Sequence, residues 1–284
     1  GVPEALAAAE QLGYPVVVKP RNLAASFGVL RVDSPDGMAA AHAHALSIDL
    51  PEEQTHYEAG VLVEEYLDGP EISVESACFD GRVVPVGVAH KELGFAPAFE
   101  EVGHLVDGAD PLLGDPELLD VVTGAHAALG YHTGVTHTEL RRSHGAWKVV
   151  EVNARLGGGL IPYLDQLATG VDVNLAAAEI AAGRRPDLTP GPSRVAAIKF
   201  VYPEQDMSIA EIRIDTAALP PEIERAGALA PAPREVKLPP RGQSWESRVV
   251  QIVAVADTEQ DCRAALDVAA KAVTLIPAAE EHAP

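Results

Sequence analysis

Short apolar blocks separated by Gly, Pro and Asp turns run along the chain, and their periods predict alternating short helices and strands. Residues 4–12 (EALAAAEQL), rich in Ala, Leu and Glu, predict a helix stopped by Gly13. Val16, Val17 and Val18 predict a buried strand that delivers Lys19 and stops at Pro20. A loop from Asn22 to Phe27, then Gly28, leads to a second strand over residues 29–32, so these two strands should pair antiparallel. Ser34-Pro35-Asp36 opens a helix reaching about Leu46.

A strand over residues 61–63 runs into Glu64, Glu65, Tyr66 and Leu67, turns at Asp68-Gly69-Pro70 and returns through Glu71, Ser73 and Glu75. Another strand spans 83–89, the segment from Lys91 to Gly114 reads as loop, and a helix should follow Asp115-Pro116. Strands over 135–142 and 147–153 flank a turn at Gly145, and helices near 160–168 and 173–182 end at Gly170 and Gly183. The stretch 184–194 holds three prolines and reads as a linker. With a boundary near residue 190, the remaining strand, proline-rich loop, strand and alanine-rich helix form a small C-terminal unit, with a frayed tail from Ala278.

The hairpin in VTHTELRR and WKVVEVNAR carries the strongest chemistry. Alternation puts His137, Glu139 and Arg141 on one face of the first strand, and Glu151, Asn153 and Arg155 on one face of its partner. Two carboxylates and an amide oxygen are the hard donors magnesium prefers, with phosphates and water completing the shell. A charged, solvated hairpin face is the plain alternative. Arg155 followed by Gly157-Gly158-Gly159 favours chemistry, because a guanidinium clamps carboxylate or phosphoryl groups where glycines let backbone approach. For Glu139 and Glu151 to share a metal, an odd-length turn His144-Gly145-Ala146 should pair Ser143 with Trp147; a two-residue turn would pair Glu139 with Val150 and split the carboxylates.

Lys19 leaves a buried strand end beside a loop containing Ser26 and Gly28, a geometry that can meet phosphate, although strand-end lysines also simply reach solvent. The loop lacks the Walker GxxxxGKS/T pattern, which disfavours a P-loop. In LVEEYLDGPEISVE a strand edge could bind a flat base through its backbone and Glu71 could accept ribose hydroxyls; taken alone, this also reads as a half-exposed acidic strand. His42, His44, His90, His126 and His132 lack metal spacing and read as surface or satisfied core residues. Trp147 and Trp245 read as packing residues, with Trp147 on the cleft-facing set of its strand.

Composition narrows the function classes. The 284 residues suffice for two domains or one lobed domain with an appendage, and 47% hydrophobic with 22% charged residues is ordinary globular usage. Forty-two Asp and Glu against 21 Lys and Arg leave a formal charge of -21, which disfavours nucleic acid and anionic membranes as partners. Any phosphate site must therefore build a local positive patch, with a divalent cation helping. Cys78 and Cys262 suggest neither a disulfide framework nor a zinc or redox site, and fit a reducing compartment. No apolar run approaches the roughly 20 residues of a membrane span and no secretory signal is present, so the expectation is a soluble, cytoplasmic chain. The start at Gly1-Val2-Pro3, without methionine, suggests a fragment or a processed chain.

Taken in order, GYPVVVKP, SFGV, LVEEYLDGPEISVE, THTELRR, VEVNARLGGG and ATGVD resemble the ATP-grasp superfamily, and HTEL before VEVNARLGGG is similar to its carboxylate-amine ligase branch. The resemblance implies an α+β fold: two α+β lobes holding ATP between antiparallel sheets (1–60 and 61–190, the latter with the metal-binding hairpin), then a small C-terminal α/β subdomain over 191–284. It implies that Lys19 and Ser26 meet ATP phosphates, that Glu64, Glu65 and Leu67 hold adenine largely through backbone, and that Glu71 holds ribose. Glu139, Glu151 and Asn153 would bind magnesium, with manganese as an alternative; Arg155 would stabilise an acyl phosphate; and Glu101, His104 and His137 would lie near substrate. The implied reaction joins a carboxylate to an amine, with amino acids as partners and a homodimer admitted by the resemblance. Such proteins normally carry an N-terminal α/β domain and a further ATP-contacting lysine before a GVP segment, which this sequence does not contain. An ATP-grasp carboxylase and a truncated, non-catalytic ATP-binding module are the alternatives.

Overall fold

A computed structural model describes residues 1–21, 23, 25–48, 60–242 and 244–279, without the side chains of Ser244 and Trp245. Asn22 and Ala24 of the expected loop, residues 280–284 of the expected tail and the side chain of Trp245 therefore lie outside the described residues.

In the N-terminal lobe, strands β1 (Val16–Pro20), β2 (Leu30–Val32) and β3 (Val61–Glu65) form an antiparallel sheet in the order β2-β1-β3. Helices α1 (Val2–Leu12) and α2 (Met38–Leu46) cover one face. They approach closely because their inward positions are small: Ala5, Ala9, Ala41 and Ala45 pack with Val16, Val18, Val32 and Met38 in one buried cluster. Strand alternation then puts Val17 and Lys19, with Leu62 and Glu64 opposite them in register, on the other face, where they border a deep cleft.

The cleft's second wall is an eight-stranded antiparallel sheet. Its strands are β4 (Glu71–Phe79), β5 (Arg82–Gly94), β6 (Glu100–Asp107), β7 (Gly134–Ser143), β8 (Ala146–Asn153), β9 (Val195–Val201), β11 (Ile223–Ala228) and β13 (Val250–Ala256), ordered β11-β13-β9-β6-β5-β4-β7-β8. Helix α3 (Pro116–Leu129) starts as its sequence predicts, with Pro116 in the first turn and the Asp115 carboxylate accepting from the Glu117 N–H at 3.0 Å. It buries Leu118 and Val122 against Ile72, Val74, Val88 and Leu140. Helices α4 (Ile161–Thr169) and α5 (Val173–Ala181) cover further stretches of this sheet.

Strands on both sides of residue 190 share this sheet, since β9 pairs with β6 and β13 with β9. A second three-stranded sheet, β12 (Arg234–Val236), β10 (Met207–Ile214) and β14 (Val273–Pro277), lies beyond it, with the short helix α6 (Ser244–Ser247) and helix α7 (Glu259–Lys271). No helix among the described residues is long and apolar enough to cross a membrane.

Three expectations need correction. The C-terminal stretch is not strand, proline-rich loop, strand and helix: β10, β11 and β12 lie between β9 and β13, and β14 follows α7. The stretch 91–114 is not a loop: β5 continues to Gly94, and β6 pairs back along it. The strand signal was masked because these positions carry Lys91, Glu92, Glu100 and Glu101, whose charges are compensated by one another across the sheet and by Arg248 and Arg263 from distant segments, which periodicity cannot detect. Trp147 does not face the cleft either. It is 6% exposed and packs in the core with Ile72, Leu118 and Leu140.

Gly69 shows how closely the β3–β4 turn docks on the hairpin: a Cβ placed there would lie 1.4 Å from the backbone oxygen of Arg142. Gly69→Ala must push this turn off the hairpin, and we expect a loss of about 1–3 kcal/mol in urea unfolding. An unchanged midpoint would mean that the turn is not held against β7.

Candidate functional site

The two sheets enclose a cavity of about 600 Å³, within the usual range for ligand sites. Lys19, Ser26, Glu64, Glu65, Leu67, Glu71, Glu101, His137, Glu139, Glu151 and Arg155, predicted from separate segments, all line it. Asn153 reaches it through Glu151, to whose Oε1 its Nδ2 donates at 2.7 Å. His104 lies buried beneath the floor, 3.4 Å from Glu101 and edge-on to the Phe200 ring.

Register explains the floor. Along β4 and β7 the pairs Glu71–Arg141, Ser73–Glu139 and Glu75–His137 share one face, while Ile72 and Leu140 enter the core. The hairpin turn is not the odd-length turn expected. His144 and Gly145 form a two-residue connection with φ of 53° and 82°, and Ser143 pairs with Ala146. That turn alone would have split the carboxylates, but a β-bulge between Leu140 and Glu139 inserts one extra residue on β8 and restores Glu139 opposite Glu151. The same bulge explains Trp147, which precedes it and so faces the core.

Sequence reading missed the residue at the centre. The Lys91 ammonium, with a fully buried side chain, lies 2.5 Å from Glu101, 2.8 Å from Glu139 and 3.4 Å from Glu71. Burial by itself would lower its pKa, but the three carboxylates outweigh that and hold it above the ordinary lysine value. Burial likewise raises Glu139, yet Lys91 and His137 drive it well below the usual carboxylate range. For Glu101, Lys91 also overcomes burial in the same direction. Beyond Glu139 the charges keep alternating: His137 bridges Glu139 at 3.1 Å and the buried Glu75. Burial lowers the His137 pKa, but these two partners outweigh it and raise it to about 9, so the ring is an imidazolium at neutral pH. Burial takes His104 the other way, to about 4, and leaves it neutral.

The walls are also engaged. Lys19 pairs with Glu64 at 2.5 Å, Lys148 with Glu65 at 2.8 Å, and Arg141 joins Glu71 (2.8 Å) to the Leu67 carbonyl (2.6 Å). Arg155 is exposed at the rim and donates to the Leu156 carbonyl at 2.9 Å. Arg248, arriving from the far end of the chain with no motif to announce it, donates to Glu100 and to the Glu101 carbonyl and lies 4.1 Å from the Phe200 ring centroid. Of the isolated histidines, His126 is a satisfied core residue, bonded to the Val122 carbonyl and to Thr136, and His90 pairs with Asp110. Cys78 and Cys262 are free and buried.

Hard oxygen donors of the kind that hold a divalent cation gather at this site. One oxygen each from Glu71, Glu101 and Glu139 lie within 4.8 Å of one another, with the Lys91 ammonium as their counter-charge. Glu151 and Asn153 add oxygens of the same hard type from the facing strand.

Asp165, buried near Glu75 and His137, has no hydrogen-bond partner for either carboxylate oxygen among the described residues. Burial, reinforced by Glu75 and partly offset by His137, holds its pKa well above the usual value, so it folds in protonated. A raised folded-state pKa stabilises fully below the unfolded value, and the benefit is lost as pH rises toward the folded value. Asp165→Asn should therefore remove a decline of up to about 1.4 kcal/mol per pH unit above roughly pH 4. Parallel stability curves for the two proteins over pH 4–8 would contradict this.

Comparison with known proteins matches residues 12–162 to a family model described as an ATP-grasp domain. Carnosine synthase 1 of Gallus gallus is 30% identical over 195 residues, covering 66% of this chain and 20% of that protein. The alanine–anticapsin ligase of Bacillus subtilis is 27% identical over 184 residues, covering 57% of this chain and 37% of that protein. The crystal structure of an L-amino acid ligase from Bacillus licheniformis superposes with a TM-score of 0.77 at 25% identity, over 96% of this chain and 67% of that one. The chain thus spans well under half the length of these two curated relatives.

Proposed function

The chain belongs to the ATP-grasp family and has its fold, and from this premise we propose that it binds Mg-ATP between the lobes over 1–60 and 61–190 and uses it to ligate a carboxylate to an amine. The observation that carries this reading is Glu139 directly opposite Glu151 on the cleft floor, facing Lys19 across the cavity. Both proteins compared by sequence and the superposed structure are named for synthases or ligases, which supports the reaction class.

In this reading Lys19, with the Ser26 loop over it, neutralises phosphate oxygens once it exchanges Glu64 for ATP. The backbone of Glu64, Glu65 and Leu67 holds adenine, and Glu71 holds ribose. Glu139, Glu151 and Asn153 would hold magnesium, which supplies positive charge to the phosphates. A substrate carboxylate oxygen attacks the γ-phosphorus, the bond to the β-phosphate oxygen breaks, and ADP leaves with the electron pair. Arg155 neutralises the charge that develops on the transferred phosphoryl group. The amine nitrogen then attacks the acyl carbon, phosphate departs with the carbon–oxygen bond pair, and the amine's proton passes to that phosphate. Glu101 and His137 border the reacting carboxylate, with His104 buried beside Glu101, and the amine and acid are small molecules, with amino acids the first to try. The soluble interior of the cell, where ATP and magnesium are abundant, is the compartment proposed.

Calorimetry with Mg-ATP, followed by phosphate release against pairs of amino acids, tests this. Tight nucleotide binding and release that requires a particular pair are expected. Release with bicarbonate alone would replace the reading with a carboxylase, and binding without release for any pair would replace it with a non-catalytic ATP-binding module.

A further inference from the structure

Beside the main cleft lies a smaller cavity of about 270 Å³, and Gly159 and Arg248 line both. It is too small for a nucleotide, being below the range of drug-sized ligand sites, and suits one amino acid. Its walls combine the apolar Leu160, which follows the glycines, Phe200 on β9, and Leu229 and Ala230 just after β11, with the polar Gln251 and two arginines. Leu229 is 40% exposed, an apolar side chain left without full cover at the cavity's edge.

The two arginines of this cavity differ in what they can still bind. Arg248 is occupied, with Glu100 at 3.0 Å, the Glu101 carbonyl at 2.9 Å and Phe200 against its guanidinium. Arg234 donates only to the backbone carbonyls of Glu246 and Arg248 and makes no ion pair among the described residues. In a chain of formal charge -21, a guanidinium without a carboxylate beside a pocket is a place for an anion. Gly159, where the two cavities meet, has φ of 59°, and a Cβ there would lie 2.5 Å from His104 Nε2, so only glycine fits.

We propose that this side pocket seats the amine substrate as an apolar α-amino acid with a free carboxylate, its side chain against Leu160, Phe200, Leu229 and Ala230 and its carboxylate on Arg234. The inference rests on the ligase reading and deepens it. The carboxylate to be phosphorylated must meet the γ-phosphate in the main cleft beside Arg155. A carboxylate held by Arg234 is withdrawn from that reaction, so it belongs to the other substrate. With both ends of that molecule held, its amino group is directed past Gly159, which lines both cavities, toward the acyl carbon, and the pocket converts affinity into orientation.

The test is calorimetric titration of the chain, saturated with magnesium and a non-hydrolysable ATP analogue, with leucine, leucinamide and glycine. Leucine should bind about tenfold or more tightly than leucinamide, which lacks the carboxylate, and than glycine, which lacks the side chain. Arg234→Gln should erase the first ratio and Ala230→Trp the second, each with nucleotide affinity retained as evidence of folding. Equal affinities in the wild type, no leucine binding by the nucleotide-loaded chain, or ratios that survive both substitutions overturn the pocket assignment alone. Failure of the wild type to bind the nucleotide analogue overturns the ligase reading itself, and the pocket's role with it.

Discussion

Glu151→Gln is expected to lower ATP-dependent phosphate release by about 100-fold or more and to weaken Mg-ATP binding, while the unfolding midpoint stays nearly unchanged. The side chain lies on the cleft face of β8 opposite Glu139, outside every buried apolar cluster, so an isosteric amide leaves the packing as it is. It removes one negative charge from the metal donor set and changes the partner that Asn153 now meets at 2.7 Å. A metal ligand acts in both the bound complex and the transition state, so KM for ATP and kcat should both suffer. Initial rates at several magnesium concentrations, with circular dichroism as the folding control, decide it. Unchanged kinetics would remove the hairpin from the mechanism.

Lys91→Met is expected to have the largest effect on stability, a loss of about 3–5 kcal/mol at neutral pH. The substitution roughly preserves volume and removes only the charge, leaving Glu71, Glu101 and Glu139 facing one another with their shared counter-charge gone. In the wild type, Glu101 and Glu139 titrate below their ordinary values, so the stability they contribute is present above the unfolded carboxylate pKa and is lost as pH falls toward the folded one. The variant should reverse that sign. Its carboxylates repel, their pKa values rise, and it should gain stability as pH falls from 7 toward 5. Millimolar magnesium without nucleotide should also restore part of the loss, because three oxygens within 4.8 Å of one another are then free for a cation. Thermal unfolding with and without magnesium measures both effects. A variant as stable as the wild type would show that Lys91 is not what holds the three carboxylates together.

The candidate site was legible wherever function is written into local order. Lys19, the strand from Val61 and the pattern HTEL before VEVNAR each stand in their own segment, and the fold brings all three to one cavity. Lys91 and Arg248 were not legible. Lys91 sits in a stretch whose charges read as loop, and its three partners lie on strands 10 to 48 positions away in sequence. Arg248 is an isolated arginine whose role depends on β13 joining a sheet begun more than a hundred residues earlier. The turn shows the limit from another side. The facing of Glu139 and Glu151 was anticipated, but through the wrong turn, because a bulge leaves no mark in a run such as Val149-Val150.

From the sequence by itself come the ATP-grasp family, the order of helices and strands from α1 to α5 outside residues 91–114, and which carboxylates and amide share a strand face. These are local properties: side-chain period, capping residues and glycine stops act over a few neighbouring positions. Only the tertiary structure decided that Lys91 fills the acidic centre, that a bulge rather than a three-residue turn aligns the hairpin, that Trp147 is core, and that Gly159 borders a side pocket. Each of those depends on charge compensation or register between strands distant in sequence, where the energy of one residue is set by a partner that no local pattern identifies.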